Sequence, residues 1–188
     1  GTPGKPLQFG AYGVGNKPAL YPPSPIAGSA WSLVSGSIWR APLASPPVSD
    51  ILVGDVPQTW AREPNSGFFT IKSTGPSASQ FVDPDLAGSE TEIIGSTIKL
   101  QNVAWTIQTH RVTAYDPAAH RVTLDSVPTP YAMKRGSGYV MMGKRHLIDQ
   151  PGEWAWESGY LYVWPHDGNI PTFGGRSVGV PSDYGIVL

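Results

Sequence analysis

Apolar residues in this chain come in short runs, and none keeps a 3.6-residue period long enough to build a helix of several turns. The runs are rich in Val, Ile, Thr, Tyr and Trp and are fenced by Gly, Pro, Asn or Asp, the pattern of strands closed by turns. Segments 7–12, 30–34, 37–41, 50–53, 68–72 and 97–103 read as strands, as do 105–115, 120–125, 138–142, 153–156, 160–164 and 176–180. "FVDPDLAG" at 81–88 is expected to form one helical turn, with Pro84 just inside its start and Gly88 past its end.

Two hairpins are legible in detail. The tetrapeptide HRVT occurs at 110–113 and again at 120–123, too close for a solenoid repeat, so the two copies read as the arms of one hairpin closed by "DPAA". Alternation puts Val112 and Ala114 on one side and Arg111 and Thr113 on the other, with His110 and His120 facing solvent. The second hairpin is "EWAWESGYLYVW". A three-residue loop Glu157-Ser158-Gly159, with Gly159 left-handed, puts Trp154, Trp156, Tyr160, Tyr162 and Trp164 on one face. A two-residue loop instead carries Trp154 and Trp156 across to join Leu161 and Val163. In both registers Tyr160, Tyr162 and Trp164 share a side.

Composition sharpens this picture. Among 188 residues there are 22 Gly and 20 Pro but only 14% charged residues, while aromatics reach 11%. Disordered chains lack that aromatic content, so the Gly and Pro are assigned to turns and long loops of an all-β domain. A net charge of −1 argues against nucleic acid as a partner. No apolar run approaches the roughly 20 residues of a membrane span. With no cysteine, disulfides and thiolate metal sites are excluded, and the four scattered histidines show no metal-ligand spacing. The opening "GTPGKP" is expected to be the start of a processed segment.

The stretch "LIDQPGEWAWESGYLYVWPHDG" at 147–168 resembles a segment of carbohydrate-active right-handed parallel β-helix proteins, where a Pro-Gly-Glu-Trp stretch, a turn and a Leu-Tyr-aromatic-Pro strand precede the coils. Other pieces follow in the same order. "GTPGKPLQFGAYGVGNKPAL" is similar to the early coil, "AREPNSGFFTI" to the Arg-x-Pro-Asn segment after it, "HRVTAYDPAAHRVTLDS" to a hairpin of a β-rich insertion, and "DYGIVL" to the entry of the next coil. The resemblance implies a polysaccharide lyase or glycoside hydrolase setting. It implies an all-β, sandwich- or barrel-like domain with many loops, related to the N-terminal part and insertion of such a protein. The organisation expected is an initial coil region at 1–52, a β-rich insertion at 53–148, and the aromatic hairpin with return to the β-helix at 149–188. The tandem coils of roughly 20–30 residues that a β-helix requires are absent from these residues. The absence of cysteine fits a bacterial secreted protein or a cytosolic one equally well, and an extracellular or periplasmic location is expected.

Candidate chemistry centres on the aromatic hairpin. Its rings either fill a core or, in part, lie exposed and stack on sugars, whose apolar C–H faces suit an aromatic platform. The binding candidates are Tyr160, Tyr162, Trp164, Trp156 and Arg145. Glycoside cleavage uses two carboxylates, and Glu153, Asp149 and Asp167 are close enough in sequence to converge; Asp149 and Asp167 sit in turn contexts, leaving Glu153 the catalytic candidate. The alternative for Glu153 is an ion pair with Arg145 or Lys144. Lyase chemistry needs a cation for a uronate and a base for its C5 proton, and "MGKRHL" offers Lys144, Arg145 and His146, or is simply a solvated loop. The expected function is a polysaccharide-interacting β domain that binds glycan by aromatic stacking and is not catalytic alone, with no cofactor and no metal. Two alternatives stand beside it: a lyase or hydrolase using Glu153 and His146, and a structural module of a larger fibre or tailspike. Further domains of a longer parent chain are expected as partners.

Overall fold

The computed structural model describes residues 25–26, 28–46, 51–53, 56–169 and 178–179. The expected strand at 7–12, the early-coil piece at 1–20 and "DYGIVL" lie outside them. The strands in chain order begin with β1 Pro25–Ile26, β2 Ser32–Ser35, β3 Ile38–Pro42, β4 Leu52–Val53, β5 Val56–Pro57 and β6 Thr59–Trp60. Next come β7 Arg62–Glu63, β8 Phe69–Thr70, β9 Ser73–Thr74, β10 Gln80–Val82, β11 Thr97–Val103 and β12 Thr106–Asp116. The last are β13 Arg121–Leu124, β14 Gly138–Met142, β15 Glu153–Glu157, β16 Tyr160–Trp164 and β17 Val178–Gly179.

They form three sheets and no closed barrel. An eight-stranded sheet has the order β7-β14-β11-β12-β13-β10-β9, with β8 also paired to β14; a five-stranded sheet runs β2-β3-β16-β15-β6, and a four-stranded one β1-β17-β4-β5. The fold is therefore all-β, sandwich-like and rich in loops, as the strand pattern implies.

The long strands were set by alternation. In β11, Ile98 and Leu100 are fully buried while Thr97, Lys99 and Gln101 are half-exposed, the mark of a strand with one face in a core. The HRVT repeat does form a hairpin, closed after Asp116, whose Oδ1 accepts the Ala118 and Ala119 N–H groups. A β-bulge between Val112 and Ala114 breaks the expected alternation: Val112 is buried, Ala114 is exposed and Tyr115 turns inward instead. His110 is buried rather than facing solvent, because it lies on the same side of β12 as Val112; its Nδ1 pairs with the Ser126 hydroxyl at 3.0 Å. His120 is half-buried.

The helical turn is displaced from 81–88. Residues Gln80–Val82 are a strand, drawn into pairing by β13 and β9, and a turn of α-helix, α1, follows at Glu90–Ile93. Ser89 caps it, with the Glu92 side chain reaching back to the Ser89 N–H at 2.7 Å.

Two apolar clusters hold the sheets. The larger gathers Ile98, Leu100, Val112, Tyr139 and Met141 from the eight-stranded sheet and reaches Leu147, Ile148, Ala155 and Tyr162. The smaller lies on the opposite face of the five-stranded sheet, where Trp154, Leu161, Val163 and Ala41 meet Trp31, Ile51 and Val53. Burying each such large side chain contributes on the order of 1.5–3 kcal/mol.

Candidate functional site

The aromatic hairpin takes the two-residue register. Trp154 pairs with Val163, Ala155 with Tyr162, Trp156 with Leu161 and Glu157 with Tyr160. Ser158 and Gly159 both adopt positive φ, 53° and 81°, the primed turn whose twist matches that of the flanking strands. Trp154 and Trp156 therefore lie on the face of Leu161 and Val163. Tyr160, Tyr162 and Trp164 lie on the other, and the aromatic strip is split in two.

On the tyrosine face, Tyr162 is buried in the larger cluster, and Tyr160 and Trp164 are half-buried against it. Arg40 sits over the Tyr160 ring at 4.8 Å and Arg145 over the Tyr162 ring at 5.6 Å. Glu153 shares this face and is almost fully buried. Its Oε2 accepts the Asp149 N–H at 3.0 Å and the Gln150 N–H at 3.4 Å, with a further backbone bond from Arg62; its Oε1 has no partner. Burial, reinforced by the Asp149 carboxylate, pushes the Glu153 pKa up despite those bonds. Neighbouring Glu63 is pushed up for the same two reasons. Asp149 accepts a hydrogen bond from Asn65 at 2.9 Å, and Asp167 is exposed with its Oδ1 accepting the Asn169 N–H.

The tryptophan face leads to a different place. Segment 59–63 crosses from the five-stranded sheet, where Thr59–Trp60 pairs with β15, to the eight-stranded sheet, where Arg62–Glu63 pairs with β14. Ala61 at the crossing is fully buried; its N–H donates to Trp154 and its carbonyl accepts from Gly143. Alternation then turns Trp60 and Arg62 to one side. Trp60 sits beside Trp154, and Arg62 beside Met142, so the tryptophan face of one sheet continues onto the outer face of the other.

Along that seam lies a cleft of about 370 Å³. It is lined by Trp60, Trp154 and Trp156 from the five-stranded sheet, by Thr97, Arg111 and Met142 from the eight-stranded sheet, and by Lys144, Glu157 and Ser158. Trp60 and Trp156 are half-buried, whereas Trp154 is buried with an indole N–H that has no acceptor. Trp156 is fixed by its N–H bond to the Leu43 carbonyl at 2.8 Å. Lys144 is ion-paired with Glu157 and also reaches the Ile94 carbonyl. Glu157 is the one carboxylate among the described lining residues, whereas glycoside hydrolysis uses a pair.

The "KRHL" loop is a 3-10 turn, Arg145–Leu147, that parts its charged residues. Lys144 faces the cleft, Arg145 covers Tyr162, and His146 is exposed. Of the five expected binding residues, Trp156 lines the cleft; Tyr160, Tyr162, Trp164 and Arg145 do not. The sequence pattern does not single out Trp60 or Arg111 as binding residues. The signal available for Trp60 is the pair of outward positions Trp60 and Arg62 in "TWARE". Among the described residues Trp105 is a highly exposed ring, at 75%, in the β11–β12 turn, edge-on to Tyr131.

No protein-family model matches the sequence, and no curated protein matches it. A solved structure named "Glycoside hydrolase" superposes on 81% of this chain with a TM-score of 0.62 at 17% identity. The likeness is one of fold, and this chain spans 30% of the length of that one. No group of three or more His, Cys, Asp or Glu side chains suited to a metal occurs among the described residues, and none of their helices is long and apolar enough to cross a membrane.

Proposed function

We propose that this chain is a polysaccharide-interacting β domain of a longer, secreted carbohydrate-active protein, and that it binds glycan by stacking sugar rings on Trp60 and Trp156 without being catalytic alone. The single observation that carries this reading is the tryptophan-lined cleft. Half-buried indoles around a cleft of this size offer flat apolar surface to the C–H faces of a pyranose, while Lys144 and Glu157 offer partners to its hydroxyls. Glu157, the one carboxylate among the described lining residues, is ion-paired with Lys144, which supports a binding role. The fold likeness to a protein named for glycoside hydrolysis is consistent with this setting.

The test is affinity electrophoresis of the whole chain through gels carrying a panel of soluble polysaccharides, with Trp156→Ala alongside. Retardation by at least one polysaccharide is expected, weakened at least about ten-fold in the variant, the loss of an interaction worth about 1.4 kcal/mol. Far-UV circular dichroism should show the variant folded. Unretarded migration through the entire panel would overturn the reading.

A further inference from the structure

The outer face of the eight-stranded sheet carries charge of one sign where it leaves the cleft. Register places Arg62 beside Met142, Thr97 beside both Met142 and Arg111, and Lys99 beside Thr109, all on this face. No carboxylate from β7, β11, β14 or the Thr106–Val112 part of β12 joins them, since Glu63 points to the opposite side with Met141. Arg62 is occupied by the Pro64 and Gly67 carbonyls. Among the described residues no hydrogen bond or ion pair engages the exposed Arg111 guanidinium or the half-exposed Lys99 amine. Within the cleft the Lys144 charge is cancelled by Glu157, leaving Arg111 the uncompensated one. In a chain of net charge −1 this is a local excess of positive charge.

The face is also long. From Thr97 at the cleft to Gln101, β11 advances roughly 14 Å. At that far end Gln101 borders an open hollow with Phe68 as its aromatic wall and Lys134 as its cation. Aromatic surface, then two free cations, then aromatic surface and a third cation follow one another along a single strand pair.

We propose that the glycan is polyanionic and lies along this face, its rings stacked at Trp60 and Trp156 and its anionic groups neutralised by Arg111 and Lys99. The inference rests on the glycan-binding reading above and extends it from a cleft to a track. The recognised chemistry is an anionic group on a pyranose, which a uronate carboxylate or a sulfate ester supplies equally well. A guanidinium meets either with two parallel hydrogen bonds.

The test is isothermal titration calorimetry of the full chain with polygalacturonate, with the same polymer after reduction of its carboxylates, with dextran sulfate and with dextran. Binding is expected to polygalacturonate, to dextran sulfate or to both. Which of the two binds tells the carboxylate from the sulfate. The neutral counterpart should bind at least about ten-fold more weakly, and the affinity should fall as sodium chloride rises from about 0.05 to about 0.3 M. The Lys99→Ala, Arg111→Ala double variant, altered only at solvent-facing positions, should lose about ten-fold or more in affinity for the polyanion. Equal affinity for the charged and neutral polymers, undiminished in the double variant, would overturn the polyanion track and leave the tryptophan cleft standing. Equally tight binding of a single-stranded DNA oligomer would also overturn it, by showing charge attraction without sugar recognition. Absence of binding to both polyanions would overturn the polyanion track, while the glycan-binding reading stands or falls with the full polysaccharide panel.

Discussion

Trp60 and Trp154 occupy paired positions on β6 and β15, with ring centroids 5.9 Å apart and planes inclined by 21°. Such a stacked pair adds about 0.5–1.5 kcal/mol beyond the area it buries. It does more than stabilise, because segment 59–63 belongs to two sheets and the pair fixes the seam between them. The cleft is a consequence of that seam.

Gly143 packs closely against the Trp60 indole. Its φ is +86°, and a Cβ there would meet Trp60 Cζ2 at 2.6 Å and Cε2 at 2.9 Å. Gly143→Ala is therefore expected to displace the indole and to destabilise the fold by about 1–3 kcal/mol. Chemical denaturation should show a lower midpoint. An unchanged midpoint would mean that the ring is not held against this turn.

Ser158 occupies a left-handed position that an ordinary L-residue enters at a cost of about 1–2 kcal/mol. Ser158→Asn creates Asn-Gly, the favoured pair for this turn, and should raise stability by about 0.5–1 kcal/mol. Thermal unfolding checks it; a lower melting temperature would favour the three-residue loop and the other register.

Glu153 makes stability depend on pH in a definite direction. Its folded pKa lies above the ordinary value of 4.5, so the unfolded chain gives up this proton first as pH rises. The cost of ionising the buried group vanishes well below that ordinary value, grows as pH rises past it, and is fully present once pH has passed the raised folded one. The Asp149 carboxylate adds to the effect, and Arg62 contributes a backbone bond rather than a countercharge. Glu153→Gln, which retains an acceptor for the backbone N–H groups, is expected to gain melting temperature relative to the parent as pH rises from about 4.5 to neutral. A variant deficit that grows over the same range would show that the ionised carboxylate stabilises the fold.

Much of the fold is legible in the sequence where a strand has room to alternate. Thr97–Val103, Gly138–Met142 and Tyr160–Trp164 begin and end where their patterns do. Two-residue strands such as Thr59–Trp60 and Arg62–Glu63 are too short to show a period, and they exist because β15 and β14 offer them partners. That is why the seam and Trp60 were missed. The hairpin register turned on one residue of loop length, and a one-residue difference moves a whole strand's side chains to the opposite face. Trp156 was read as a binding residue, but its neighbours in the cleft come from segments nearly 100 and 45 positions away, a juxtaposition that only the pairing of strands brings about.

The account stands most directly on which indoles meet the sugar. Each tryptophan has one Nε1–H signal in a nitrogen–proton correlation spectrum, and a titration of the labelled chain with an oligosaccharide from the best-retarding polymer reads them separately. The expected result is that the signals of Trp60, Trp154 and Trp156 move together and saturate while those of Trp105 and Trp164 stay in place. Shifts confined to Trp164 would return the binding surface to the tyrosine face, and shifts confined to Trp105 would move it to the hairpin tip; either contradicts the cleft.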